Sequence, residues 1–185
     1  MMIKDFQRES AVPHDDVQVL HLEEVAETIR DDALAQARDK IGALRRGADL
    51  AGLLTRPDFL DYFKHGLALG VASVLAANDQ NVRAMYVYEP ALDAGSEAGE
   101  DPPRDTGVHL LVRVTTPSAA LETLIASLDQ ALTASLKHLP APGFRQRESV
   151  LDVNLIGDDD FGRGVNYAGL LKGLFAPPLQ VWRRA

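Results

Sequence analysis

Strand-like and helix-like periodicities alternate along this chain, and that alternation restricts its fold more than any single motif. Two runs are rich in β-formers: Val82-Arg83-Ala84-Met85-Tyr86-Val87-Tyr88 and Gly107-Val108-His109-Leu110-Leu111-Val112-Arg113-Val114. Before the first, Phe59, Tyr62, Phe63, Gly66, Leu67, Gly70, Val71, Val74 and Leu75 recur at helical spacing. That helix starts at Thr55-Arg56-Pro57-Asp58, with Thr55 as the expected cap and proline in the first turn, and ends near Asn78-Asp79. After the second run, Thr116-Pro117 opens a helix striped by Leu121, Leu124, Ile125, Leu128, Leu132, Leu136 and Leu139, closed by Pro140 and Pro142.

The flanks extend the pattern. A first helix is expected from Leu22 to Leu44 on the narrow stripe Leu22, Val25, Ile29, Ala33, Ala37, Ile41 and Leu44. A strand is expected over residues 148–156, with Asp152 and Asn154 on the face opposite its apolar residues. The turn Gly157-Asp158-Asp159-Asp160 follows, then a short helix carrying Leu170, Leu171, Leu174 and Phe175, and a last strand Leu179-Gln180-Val181-Trp182. The order α-α-β-β-α-β-α-β predicts an α+β fold, a single mixed or mainly antiparallel sheet backed on one face by the helices starting at residues 57 and 117. The expected core comprises Phe63, Leu67, Val71, Leu75, Tyr86, Leu110, Val112, Leu124, Leu128, Leu132, Val153 and Leu155. Gly66 and Gly70 lie four apart on one stripe and admit a close neighbour, for which the sheet is the expected partner.

With 185 residues, 46% hydrophobic and 25% charged, the chain suits one globular domain over residues 18–185 after a polar arm at 1–17. Within it, residues 18–50 carry the first helix, which packs on the body or forms a dimer contact. Residues 91–105 are expected to be a mobile acidic loop, because Asp93, Glu97, Glu100, Asp101 and Asp105 are interleaved with Gly95, Gly99, Pro102 and Pro103. The first two strands are then neighbours across that loop. A homodimer is expected, through the first helix or through the unpaired edge of the terminal strand with Trp182.

Composition also removes function classes. There is no cysteine, which excludes disulfides, thiolate nucleophiles and Cys-ligated metals. The 19 basic and 27 acidic residues give a net charge of −8, which opposes non-specific binding to nucleic acid or to an anionic membrane. The start Met1-Met2-Ile3-Lys4-Asp5-Phe6 lacks an apolar signal core, and no apolar run reaches the about 18 residues that span a bilayer, so a cytoplasmic location is expected.

No Walker A loop, HExxH or nucleophile elbow is present. Gly162-Arg163-Gly164 begins like a dinucleotide fingerprint, but Tyr167 stands where its third glycine belongs, so a turn glycine is expected instead. The five histidines, His14, His21, His65, His109 and His138, have no ligand spacing. Candidate ligand-binding residues are Arg83, His109 and Arg113, expected to line one sheet face that receives an anion or an acidic peptide. Candidate metal ligands are Asp152, Asp158 and Asp160, carboxylates of the kind that hold a divalent cation; solvated turn residues or a helix cap are the alternative. No catalytic residue and no cofactor beyond that metal is assigned.

From Val82 to Arg184 the order of elements resembles the C-terminal domain of the SseB family, bacterial proteins of enhanced serine sensitivity. The likeness runs through the strands Arg83-Ala84-Met85-Tyr86-Val87-Tyr88, His109-Leu110-Leu111-Val112-Arg113-Val114 and Leu151-Asp152-Val153-Asn154-Leu155-Ile156. It closes with Pro177-Pro178-Leu179-Gln180-Val181-Trp182-Arg183-Arg184. The resemblance implies a non-enzymatic binding or regulatory module. The same stretch resembles a minimal nucleotidyltransferase core in the rhythm of Thr106-Gly107-Val108-His109-Leu110-Leu111-Val112, with Asp152 as a third carboxylate. Gly107 and His109 stand where that fold carries its paired aspartates, and Glu89-Pro90 replaces its glycine-serine turn, which implies a degenerate relative. Three functions follow as expectations: a non-catalytic protein-interaction or regulatory module, a degenerate nucleotidyltransferase-like domain that is inactive or only binds nucleotide, and a metal-dependent enzyme using Asp152 and the carboxylates at 158–160.

Overall fold

The structure, a computed structural model, describes residues 14–42, 49–88, 107–139, 148–165, 167–171 and 178–184, with side chains from residue 21 onward. The expected arm up to residue 13, the acidic loop over 91–105, Glu89-Pro90, Leu44, Leu174 and Phe175 lie outside the described residues. The elements are α1 (His14–Gly42), α2 (Leu50–Leu54), α3 (Pro57–Asn78), β1 (Val82–Val87), β2 (Val108–Val114), α4 (Ala119–Leu136), β3 (Leu151–Gly157), α5 (Asp158–Arg163), α6 (Ala168–Leu171) and β4 (Leu179–Arg183). The fold is α+β.

The sheet is mixed, in the order β3-β2-β1-β4. β1 pairs antiparallel with β2 and with β4, whereas β2 and β3 run parallel. A parallel neighbour requires a crossover rather than a hairpin, and α4 supplies it. α3 and α4 cover one face. Phe59, Phe63, Leu67, Val71 and Leu75 from α3 and Leu121, Leu128 and Leu132 from α4 are buried there with Met85, Leu110 and Val112. Of the expected core, Leu124, Val153 and Leu155 are only partly buried at its margin. Tyr86 belongs to a second, smaller cluster on the opposite face, where it joins Leu111, Ile156, Ala168 and Phe161. α5 and α6 therefore cover part of the face that a one-sided sheet leaves open.

The glycine stripe of α3 faces a helix and not the sheet. A Cβ on Gly66 would lie 2.8 Å from Ala33 Cα, and one on Gly70 would lie 2.7 Å from Ile29 Cγ2. Both neighbours belong to α1, which packs on α3 and α4 as a further layer. The alanines that make the α1 stripe narrow are what permit this approach. Ala26, Ile29, Ala33, Ala37 and Ile41 are all buried within one chain, so the expected dimer contact through this stripe is taken up by α3 and α4. The guanidinium of Arg30 adds a polar tie, donating from Nη1 to the Ser135 carbonyl at 3.2 Å near the end of α4.

Several local signals resolve differently from the expectation. α1 begins at His14, so residues 14–17 are helical instead of part of an arm. Thr55 ends α2 and donates its hydroxyl to the Gly52 carbonyl, leaving Arg56 at the N-cap of α3 without a side-chain cap bond. Ser118, not Thr116, caps α4, its Oγ accepting from Leu121 N at 3.2 Å. The acidic turn is the first turn of α5: Asp158, Asp159 and Asp160 sit at the helix N-terminus, where the backbone dipole favours negative charge. Gly164 ends α5 with φ 67°, the left-handed conformation that glycine adopts without a Cβ clash, which fits the turn role expected for it.

Candidate functional site

Two strand irregularities build a basic cleft on the sheet face opposite α3 and α4. β1 is bulged against β2 between Val82 and Ala84, so that Arg83 is the extra residue and Ala84 stands opposite Arg113. On its other side Ala84 faces Arg183 of β4. A row thus crosses three strands as Arg113, Ala84 and Arg183, with two long cations flanking a buried alanine floor. Strand spacing sets the outer two Cα positions roughly 10 Å apart. The resulting cleft has a volume of about 530 Å³ and is lined by Arg83, Ala84, Tyr86, Arg113, Asp158, Phe161, Arg183 and Arg184. Four of these are arginines and one is a carboxylate.

The four cations are not equivalent. Arg113 is committed: its Nε and Nη2 lie 2.9 and 2.8 Å from Asp158 Oδ1, and its Cζ sits 3.8 Å from the centroid of the Phe161 ring. Arg184 is committed to the backbone, donating to the carbonyls of Val82, Ala76 and Asp79 at 3.0, 3.0 and 3.2 Å. Arg83 gives Nε to Thr115 Oγ1 at 2.9 Å, and Arg183 is exposed at the strand end. Among the described residues neither Arg83 nor Arg183 is paired with a carboxylate. Among the described residues these two are the cations left to a ligand, and a guanidinium fork matches a carboxylate or phosphate geometrically.

His109 is not part of this cleft. The parallel register places it opposite Asp152, and Nδ1 lies 2.8 Å from Asp152 Oδ2. Asn154 Nδ2 donates to the Tyr88 hydroxyl at 3.1 Å, and the Tyr88 ring lies 5.6 Å from the His109 ring and 6.1 Å from the Tyr167 ring. The sequence-based groupings are therefore exchanged. His109 takes Asp152 from the metal set, and Arg113 takes Asp158. Asp152 and Asp158 are six residues apart along an extended strand, roughly 20 Å, which is too far for one ion. Asp160 pairs with Arg163 at 2.8 Å. Among the described residues no group of three or more His, Asp or Glu side chains is placed to hold a metal ion, so the structure does not assemble the Asp152, Asp158 and Asp160 site. An aspartate that fixes one imidazole nitrogen is half of a nucleophile–base relay, yet no hydroxyl nucleophile is hydrogen-bonded to His109 among the described residues.

Burial first, then the negative charge of Asp152, pushes the Tyr88 hydroxyl up to about 12. Unfolding returns it to about 10. Between those values the unfolded chain has released a proton that the folded chain still holds, so stability is undiminished below pH about 10 and falls as pH rises toward 12. Denaturant midpoints measured across that range are expected to drop, and Tyr88→Phe is expected to remove part of the slope. A slope unchanged in Tyr88→Phe would assign it to other groups.

The sequence reading missed Arg183, Arg184, Phe161 and Tyr86. The basic pair was visible, but only the β1–β4 register carries it to Arg113. Among the described residues no helix is long and apolar enough to cross a membrane. No family model, curated protein or solved structure matches the chain, so the SseB-like and nucleotidyltransferase-like resemblances rest on the element order and residues quoted above.

Proposed function

We propose that this chain is a non-catalytic protein-interaction module that captures an acidic segment of a partner in the arginine cleft. The observation that carries the reading is the Arg113–Ala84–Arg183 row, with Arg83 beside it, forming a local excess of cations in a chain of net charge −8. That global charge disfavours long polyanions such as nucleic acid, whereas a short carboxylate-bearing segment meets mainly the local field. The apolar walls from Tyr86 and Phe161 suit a side chain adjacent to the acidic one. The SseB-like element order, which implies a binding or regulatory module, points the same way. Of the two contacts expected for a homodimer, the α1 stripe is covered within the chain and the β4 edge is bulged beside the exposed Arg183, so this proposal does not call on a dimer.

The test is thermal denaturation and calorimetry with a short Glu-rich peptide, its Lys-rich counterpart, and ATP with Mg²⁺. A peptide at about 100 times its Kd raises stability by about 2.7 kcal/mol. Binding of the acidic peptide alone is expected, weakened at least about tenfold in the Arg83→Glu/Arg183→Glu variant and by salt. Ala84→Leu, which fills the floor and keeps every charge, should weaken it as well. Stabilisation by ATP and Mg²⁺ in place of the acidic peptide would favour the nucleotidyltransferase-like reading and overturn this one.

A further inference from the structure

The two edges of the sheet are unequal. β4 is bulged against β1 between Met85 and Tyr86 and carries the exposed Arg183, two devices that discourage pairing with another chain. β3, at the other edge, has no bulge, and its one charge is the acidic Asp152. Its seven residues, Leu-Asp-Val-Asn-Leu-Ile-Gly, contain no Lys, Arg or Pro, and they pair with β2 in unbroken register from Val108↔Leu151 to Val114↔Gly157. Among the described residues only β2 lies beside it in the sheet.

A groove of about 600 Å³ runs along this edge, between β3 and α4. The strand contributes the consecutive residues Leu151 through Leu155 to its wall. Consecutive strand residues point to opposite faces, so a wall made of both sets is the backbone edge itself, with its outward N–H and C=O groups. Across from it, α4 presents Ile125 and Ala126 as the apolar side. The charged side chains on the groove are Glu122, Asp129 and Asp152, all acidic. Asp129 is engaged by the Val150 and Leu151 N–H groups at 2.8 and 2.7 Å, which fixes the start of β3 against α4. Glu122 is exposed, and the Asp152 side chain is 51% exposed even with His109 against it.

We infer that the β3 edge is a docking site for an extended basic peptide, which adds to the sheet as a fifth strand. Backbone hydrogen bonds along β3 hold the segment, and alternation sorts its side chains. Residues directed toward α4 are apolar and meet Ile125 and Leu155; those on the other face are Lys or Arg and meet Asp152. A second copy of the chain is a poorer occupant, because β3-to-β3 pairing brings two acidic grooves together. This site is separate from the arginine cleft and takes ligands of the opposite charge, so either proposal stands or falls alone.

The probe is a fluorescein-labelled octapeptide of alternating Lys and Val, titrated into the full chain and read by anisotropy. Saturable binding is expected, with slowed hydrogen exchange at the amides of residues 152–155. The same peptide N-methylated at alternate backbone nitrogens keeps its charge and shape but loses half its donors, and should bind at least about tenfold more weakly. Glu122→Lys, on the exposed face of α4, should weaken binding several-fold without touching the strand, while Arg83→Glu/Arg183→Glu should leave it intact. Equal binding of the N-methylated peptide, or no slowing of exchange at β3, overturns the inference. So does a dimer that pairs through β3 and excludes the peptide.

Discussion

Gly66→Leu is expected to lower stability by about 3 kcal/mol, at the upper end of the range for overpacking a core. The position has no room even for a methyl group: an added Cβ meets the Ala33 backbone at 2.8 Å and the Ala33 Cβ at 2.9 Å. Backbone cannot rotate aside, so α1 must move as a body and part its buried stripe from α3 and α4. Gly70→Ala should cost less, because it adds a single methyl that meets the Ile29 side chain and not backbone, although β-branched Ile29 is stiff in a helix and yields only by a small shift of α1. Gly42→Ala, with nothing within 4 Å among the described residues, should be neutral or slightly stabilising, since alanine loses less backbone entropy in a helix. Urea midpoints at constant m-value give the ranking directly. A Gly66→Leu chain as stable as the parent would mean that α1 is not docked as described.

Arg184→Ala is expected to cost about 2–4 kcal/mol, because hydrogen bonds from a charged donor are worth about 1.5–3 kcal/mol and this donor makes several. One side chain ties the end of α3, through the Ala76 and Asp79 carbonyls, to β1 through the Val82 carbonyl. It also lies 5.4 Å from the centroid of the Trp182 ring. Removing it takes the Arg184 donor from the Ala76 carbonyl at the end of α3, at a partly buried joint, while the Asp79 carbonyl still accepts from Val82 N–H at 3.3 Å. Lysine should restore only part of the loss, as a point charge cannot span three acceptors. The measurement is again the denaturant midpoint, with the acidic peptide added below the transition. Binding that survives in the folded fraction is expected, since Arg184 is committed to the backbone. A loss below about 0.5 kcal/mol, ordinary for a surface substitution, would refute the tie.

The elements were legible because each carries its own period. The leucine stripe of α4 and the β-formers of β1 and β2 report local backbone geometry, and the structure places these elements within a few residues of the expected bounds. Caps were less legible. Ser118 follows Thr116 by two residues, and Thr55 lies between the end of α2 and the start of α3, so a shift of one or two residues in helix phase decides which oxygen reaches an amide. The glycines of α3 announced a close approach, but nothing in a stripe of small residues says whether a sheet or a helix will fill it.

The sequence by itself determined the α+β class, the order of its elements and the residue types from which a site is made. Tertiary structure decided their company. His109 and Asp152 meet because β2 and β3 run parallel in one register, and a shift of one residue would part them. Arg83 and Ala84 take their positions from a bulge, and Arg183 reaches Arg113 only because β4 returns beside β1. Periodicity reports how one segment folds on itself. Register between distant segments is set by which apolar surfaces bury each other, and that energy belongs to no segment alone.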